Sequence, residues 1–421
     1  MRDIVVVALI IFSLWATIKH ASWGALAWVF LSVSSFHQQG YATAGLPVAA
    51  VIAALLILVI LFKKEGFQIP NQTPIVLLGL FTIWMTITYL ASPSLDENYE
   101  MWSKVMKINI FTFVVLGVLR SREDIEKLIW IIVLALALTG SKGGIFTLTT
   151  GGGYRVWGPG GFIGGNNEFA VALVMLIPLM YYLKHQCNRL WVGRALLAGM
   201  VLCGIAALGS QSRGALLASA AMVLMMIMKS KRKAPMLLAV LLLIPPMIAF
   251  MPDEWTSRMS SIGSYEQDQS AMGRINAWEM AWNLAWDRPF GGGFENIKIE
   301  YFSKYASDTT YMQGAHSIYF QVMGQHGFIG FFLFIGIGIS TWLSASRIKR
   351  HANVQPRDSL LASMIQVSMV GYAVGGAFLA LAYFDVPYYL MIALVRILDL
   401  LEGKKEIIQP IISEESSRYR A

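Results

Sequence analysis

Charge is what this sequence has least of. Asp, Glu, Lys and Arg make up 14% of its 421 residues, 56% are hydrophobic, and the mean hydropathy is +0.57. A soluble domain carries roughly 25% charged residues, so the shortage points to a polytopic integral membrane protein. Cysteine is also scarce. Cys187 falls in a short basic loop and Cys203 inside an apolar run, which suits neither a disulfide framework nor a thiolate metal site. No His/Asp cluster has ligand spacing, and no Gly-Lys-Ser/Thr ending completes a Walker loop. Neither a metal nor a nucleotide cofactor is therefore expected. The formal net charge of +8 sits mostly in short loops, where it reports orientation rather than nucleic-acid binding. The first apolar run lacks a small-residue cleavage site, so an uncleaved first helix is expected.

What is present is a succession of apolar runs. A crossing needs about 20 mainly apolar residues. Candidates are 45–63, 73–91, 104–119, 124–141, 168–184, 190–208, 213–229, 234–251, 316–346 and 358–383, with 386–401 a shorter last one. Residues 1–36 hold two short runs, 4–18 and 22–36, split by Lys19 and His20. They read equally as two tilted helices or one broken helix. The expected fold is all-α with about 12 transmembrane helices and one large structured loop between late helices. The chain then divides into a helical bundle over 1–251, the loop over 252–315, further spans over 316–402 and a cytoplasmic tail over 403–421. Basic residues mark alternate connections: Lys63–Lys64, Arg120–Arg122, Lys184–Arg194, Lys229–Lys233, Arg347–Arg357 and the Lys404–Lys405 tail. The positive-inside rule puts these in the cytoplasm and the connections 92–103, 142–167, 209–213 and 252–315 outside.

The stretch from Pro252 to Gly330 is too long and polar to cross a bilayer. Its aromatics, among them Trp255, Trp278, Trp282, Trp286, Phe294 and Tyr301, argue for structure rather than disorder. Arg274 shares a helical face with Trp278, Trp282 and Trp286 at spacing four. That face reads either as an interfacial helix with Trp anchors or as a helix over a cavity, with Arg274 aimed inward and indoles to stack on sugars. Arg288-Pro289 and Gly291–Gly293 end the pattern. His316 opens the next run; a lone His is more often structural, yet a near-neutral imidazole suits general-base work. Ser212-Arg213-Gly214 opens another run, and an outer-side arginine is either snorkelling or functional. Residues 150–167 form a Gly-rich run around Arg155, a flexible loop or an anion cradle. Glu266-Gln267-Asp268 reads as solvated surface. Arginines dominate these candidates, which favours phosphate binding through charge-assisted forks without a bridging cation.

Ser212-Arg213-Gly214, Gly273-Arg274 with Trp278, Pro289 with Gly291–Gly293, and His316 followed by Gly327 and Gly330 together resemble the O-antigen ligase and polymerase superfamily, most closely its lipopolysaccharide core–O-antigen ligase branch. The resemblance is strongest from about residue 150 to 385. Ser317 departs from it, since the family often has Asn there. The resemblance implies a glycosyltransferase of the bacterial inner membrane with its site facing the periplasm. The donor would be polysaccharide on undecaprenyl pyrophosphate and the acceptor a sugar hydroxyl of lipid A-core. Carried over by position, Arg213, Arg274 and Arg288 are the motif arginines and His316 the motif histidine. Metal-free transfer is implied, with membrane lipids around both substrates; a single displacement with inversion is expected, since no obvious carboxylate nucleophile lies on the outer side. Arg155, Trp278, Tyr388 and Tyr389 are the further substrate-binding candidates. An O-antigen polymerase and a protein O-oligosaccharyltransferase share this chemistry. A transporter, with buried Arg and His binding an anion, is the alternative of a different class.

Overall fold

The computed structural model describes residues 2–41, 43, 45–63, 66–230, 233–260 and 269–418. Lys64 and the acidic run Glu266–Asp268 lie outside the described residues. Regular structure among the described residues is helical. The first ten helices are α1 (Arg2–Lys19), α2 (Ala21–Ser34), α3 (Val48–Lys63), α4 (Thr73–Leu90), α5 (Leu95–Val118), α6 (Arg122–Thr149), α7 (Asn166–Gln186), α8 (Leu190–Gly209), α9 (Arg213–Lys229) and α10 (Lys233–Ala249). Three more follow in the long segment before the last spans, α11 (Asp253–Ser260), α12 (Gln269–Asp287) and α13 (Ile299–Tyr305). The chain closes with α14 (Ile318–Arg350), α15 (Pro356–Gly376) and α16 (Val386–Arg418). α16 runs on into the expected tail, as far as Arg418.

Among the described residues, α4, α5, α6, α7, α8, α14 and α15 are long and apolar enough to cross a membrane, and α2 and α3 are shorter apolar helices. This is fewer than the expected 12 or so. α9 and α10 have 17 residues each, or about 26 Å, just short of a hydrocarbon core of about 30 Å. Residues 1–36 form two helices. His20 is extended between them, and α2 folds back so that Gly40 lies beside Asp3 and Val6 at the start of α1.

Contacts sort the connections onto two faces. On one, Lys63 Nζ donates to Lys19 O (2.8 Å), Gln68 N to Gly117 O (3.1 Å), and Arg122 pairs with Asp358 (2.8 Å). Lys229 and Lys349 both donate to Gln366 Oε1 (2.6 and 3.0 Å). Arg396, fully buried, donates to the carbonyls of Gln68 and Leu116 and to Asp399. On the other face, Gly161 meets Ser35, Trp255 Nε1 donates to Leu208 O (3.1 Å), and Glu295 N donates to Asn98 Oδ1 (2.8 Å). The first half of α16 is the centre of the bundle, with Leu390, Ile392, Leu394 and Val395 buried. Leu61, Phe62, Ile83, Leu138, Leu242 and Phe332 point outward and stay exposed. So much exposed apolar surface is unstable in water and suits a lipid surround.

The long segment before α14 has a small core of its own. Ala277, Met280 and Leu284 of α12 pack on Tyr301, Phe302 and Tyr305 of α13. Gly292 N and Gly293 N then donate to Gly324 O (2.9 Å) and Gln325 O (3.1 Å), so the three-glycine run lies like a strap across α14. The helix is broken there: Gly327 has φ 66° and ψ −173°, a region essentially open to glycine alone. A Cβ at Gly327 would lie 2.0 Å from Pro289 O.

Candidate active site

Three helices begin within reach of the C-terminal end of α15. α9 starts at Arg213, with Ser212 as N-cap accepting from Ala215 N (3.2 Å). α14 starts just after His316, with Ser317 as its N-cap in extended backbone. Gly214 sits against Phe378 and Gly375, while the Gly376 position meets Ile318 Cδ1 at 2.7 Å from an added Cβ. Arg213 and His316 are thereby set around one turn. The third helix, α7, joins them through Asn166 Nδ2, which donates to Ser210 O (2.8 Å).

α12 supplies the fourth wall. Trp278 Nε1 donates to Ala315 O (2.6 Å), and its ring stacks on Phe320 with centroids 5.1 Å apart. The indole thus grips the chain on both sides of His316. Its N–H and one face are committed to that task, which leaves only the other face for a sugar. Arg274 stands one helical turn earlier, about 6 Å along the axis. Burial first, and then the charge of Arg274, hold the His316 imidazole below its ordinary value. A neutral imidazole beside a guanidinium can accept a proton while the arginine holds an anion. His316 is also left-handed (φ 41°), as is Gln211 (φ 57°) just before Arg213, and such strain clusters at functional sites.

His326 offers a contrast. It is fully buried, with Nδ1 bonded to Thr88 Oγ1 (2.6 Å) and Nε2 to Tyr383 OH (2.7 Å). Both ring nitrogens are occupied, so His326 ties α14 to α4 and to the turn before α16 and is not poised as a base.

The other expected site residues divide. Arg155 joins the Arg213 turn, its Nε donating to Gln211 Oε1 (3.3 Å). Arg288 does not join. It bonds Tyr301 OH (3.2 Å), and the helix between residues 274 and 288 spans about 21 Å at about 1.5 Å per residue, far more than a pyrophosphate covers. Arg288 therefore stands at the far end of α12 from Arg274. Tyr388 and Tyr389 are buried in the bundle, and Tyr388 OH donates to Ala382 O (2.9 Å). Tyr389 packs within the bundle, whereas Tyr388 lines an apolar groove together with Ile318 and Tyr319. Glu168 went unnoticed in the sequence. It lies in the first turn of α7, half-buried and within electrostatic reach of Arg274. Its only sequence signal is an acid opening an apolar run straight after Gly164, Gly165, Asn166 and Asn167, which also reads as an ordinary helix-dipole partner. Among the described residues no group of three or more His, Cys, Asp or Glu side chains could hold a metal ion.

Residues 198–335, which carry Arg213, Arg274, Arg288 and His316, match the family described as O-Antigen ligase. That match supports membership of the O-antigen ligase/polymerase superfamily. Residues 1–188 match a family of unknown function (DUF5935), and no curated protein matches the chain. O-antigen ligase membership suggests a glycosyltransferase-like membrane enzyme acting on lipid-linked polysaccharide. The matched segment spans α9, the whole of α12 and the turn that carries His316.

Proposed function

We propose that the chain transfers polysaccharide from undecaprenyl pyrophosphate to a sugar hydroxyl of lipid A-core on the periplasmic face of the inner membrane. The observation that carries this reading is the convergence of Arg213 and His316 on the end of α15, with the His316 chain held by Trp278 one turn from Arg274 on α12. Arg213 and Arg274 bind the donor pyrophosphate and stabilise the charge that grows on it as the glycosidic bond breaks. His316 takes the proton of the acceptor hydroxyl as its oxygen bonds to the anomeric carbon. One displacement inverts that carbon and releases undecaprenyl pyrophosphate. An apolar groove of about 390 Å³ supports a lipid-borne substrate: it runs from Ile318 and Tyr319, beside the site, to Phe334 and Trp342. The periplasmic assignment rests on the basic connections, which gather on the face opposite the site as the positive-inside rule requires.

The test is reconstitution in liposomes with lipid-linked glycan and one of three acceptors. Glycan on lipid A-core supports the ligase reading. Elongation of a second lipid-linked glycan instead makes the protein a polymerase, and transfer to a protein makes it an oligosaccharyltransferase. Export of glycan without any new glycosidic bond would sink all three. Ser303→Cys should label with an impermeant reagent from the periplasm, and Ser230→Cys and Ala352→Cys should not.

A further inference from the structure

Two ammonium groups share one oxygen on the face remote from the candidate active site. Lys229, the last residue of α9, and Lys349, near the end of α14, both donate to Gln366 Oε1 (2.6 and 3.0 Å). Gln366 is 2% exposed and is held in place, because its Nε2 donates to Trp342 O (3.2 Å) and Ser346 Oγ (2.9 Å). The two cations therefore stand within about 6 Å of each other, a range at which like charges repel. Gln366 is neutral and cannot balance them. Asp358 and Glu402, acids of the same face, pair with Arg122 (2.8 Å) and Arg347 (3.0 Å). Among the described residues no carboxylate pairs with Lys229 or Lys349.

The apolar groove that starts at Ile318 and Tyr319 ends at this pair. Its far end is walled by Trp342 of α14 and Met369 of α15, one turn from Gln366. Lys229 Nζ lies over the Trp342 ring, 5.6 Å from its centroid. A slot for an acyl chain thus opens beside two converging cations. A phosphate between them would accept from both and cancel their repulsion. We propose that Lys229, Lys349 and Gln366 form a site for the phosphate of an anionic phospholipid, with one acyl chain lying in the groove toward Gly338. On the orientation given by the basic connections this face is cytoplasmic, and basic pockets between helices on that side are where anionic headgroups bind. The lengths agree. About 16 Å of helix separates Lys349 from Gly338, and one leaflet of hydrocarbon is about 15 Å deep. There is room as well, since Gly338 lines the groove and a Cβ added to it meets no atom within 4 Å.

The experiment uses the full chain in neutral detergent, freed of co-purified lipid. Dioleoylphosphatidylglycerol, dioleoylphosphatidylcholine or inorganic phosphate is added, and binding is read by native mass spectrometry and thermal unfolding. Wild type should bind phosphatidylglycerol about 10-fold or more tightly than phosphatidylcholine, which has the same chains. Lys229→Gln and Lys349→Gln should each lose about 10-fold in phosphatidylglycerol affinity, the equivalent of one charged hydrogen bond. Lys184→Gln, at the end of α7 on the same face, should lose nothing. Gly338→Phe fills the groove and leaves the lysines in place, so it should weaken binding too. Without lipid, Lys349→Gln should melt no lower than wild type, because it relieves the repulsion; with phosphatidylglycerol, wild type should melt higher. Equal affinity of wild type for the two lipids overturns the proposal. So does a Lys349→Gln protein that melts lower without lipid, which would make the lysines structural donors. Stabilisation by inorganic phosphate as large as by phosphatidylglycerol overturns the lipid assignment and makes the pair a site for a soluble anion.

Discussion

Gly327→Ala tests how the strap and the broken helix hold the His316 segment. Gly327 has φ 66° and ψ −173°, and forcing alanine there costs about 1–3 kcal/mol. The new methyl would also sit 2.0 Å from Pro289 O. Backbone cannot yield as a side-chain tip can, so the strap must lift. That forfeits the bonds from Gly292 N to Gly324 O and from Gly293 N to Gln325 O, each worth about 0.5–1.5 kcal/mol. The expected loss is about 2–6 kcal/mol. Gly338 is the internal control. It lies in the same helix with no atom within 4 Å of an added Cβ, so Gly338→Ala should be neutral or stabilising by up to about 1 kcal/mol. Thermal unfolding in nanodiscs reads both, with glycan transfer measured on the same samples. Gly327→Ala should melt well below Gly338→Ala and transfer less glycan, since the segment ahead of the break carries His316. Equal melting of the two variants would refute the account of the break.

His316→Asn should keep pyrophosphate binding while transfer falls by about 10²–10⁴, because Asn tolerates the left-handed backbone but cannot take a proton; near wild-type turnover would make His316 a positioning residue. Wild-type transfer should be lost as pH falls, with a midpoint below about 6.5, since burial and Arg274 keep the imidazole neutral to lower pH; a midpoint above that value contradicts the assigned environment. Arg274→Lys and Arg213→Lys should each lose much of the activity despite retaining charge, whereas Arg288→Lys should change pyrophosphate Kd by less than about threefold, given the roughly 21 Å of helix between it and Arg274. Transfer should survive excess EDTA; abolition by EDTA with rescue by Mg²⁺ or Mn²⁺ would require a metal that the arginine mechanism does not use.

Much of this was legible in the sequence because the relevant signals are local. Run length and alternating basic loops give the helices, and Ser212-Arg213, Arg274 and His316 stand out as polar residues at helix ends on one side. What the sequence hides is direction. Tyr388 and Tyr389 belong to a stretch that is apolar all round, and such a helix shows no face that separates lipid from protein. Trp278 looks like its neighbours Trp282 and Trp286, yet only Trp278 turns its N–H to the His316 chain while the other two remain exposed. Arg288 seemed equivalent to Arg274 because a motif records order and not the rise of the helix between its members. Glu168 and Arg274 are separated by more than a hundred residues, so only folding brings their charges within reach of each other.

The two faces of the bundle are fastened differently, and this has a mechanical result. Away from the site, ionic and buried polar ties at Arg122–Asp358, Lys229 and Lys349 on Gln366, and Arg396 clamp α5, α6, α9, α14, α15 and α16. Near the site, α9 and α14 rest on α15 through glycine contacts and the uncharged bond from Tyr319 OH to Ala373 O (2.9 Å). The ties reach as far as Gln366, which leaves the stretch of α15 up to Gly376 as a lever of about 15 Å. A tilt of roughly 10° about Gln366 swings the other end by about 3 Å over that length. On the proposed reaction, the end of the bundle where the two lipid-borne substrates meet is the one free of ionic ties, and the far end is the one they hold shut.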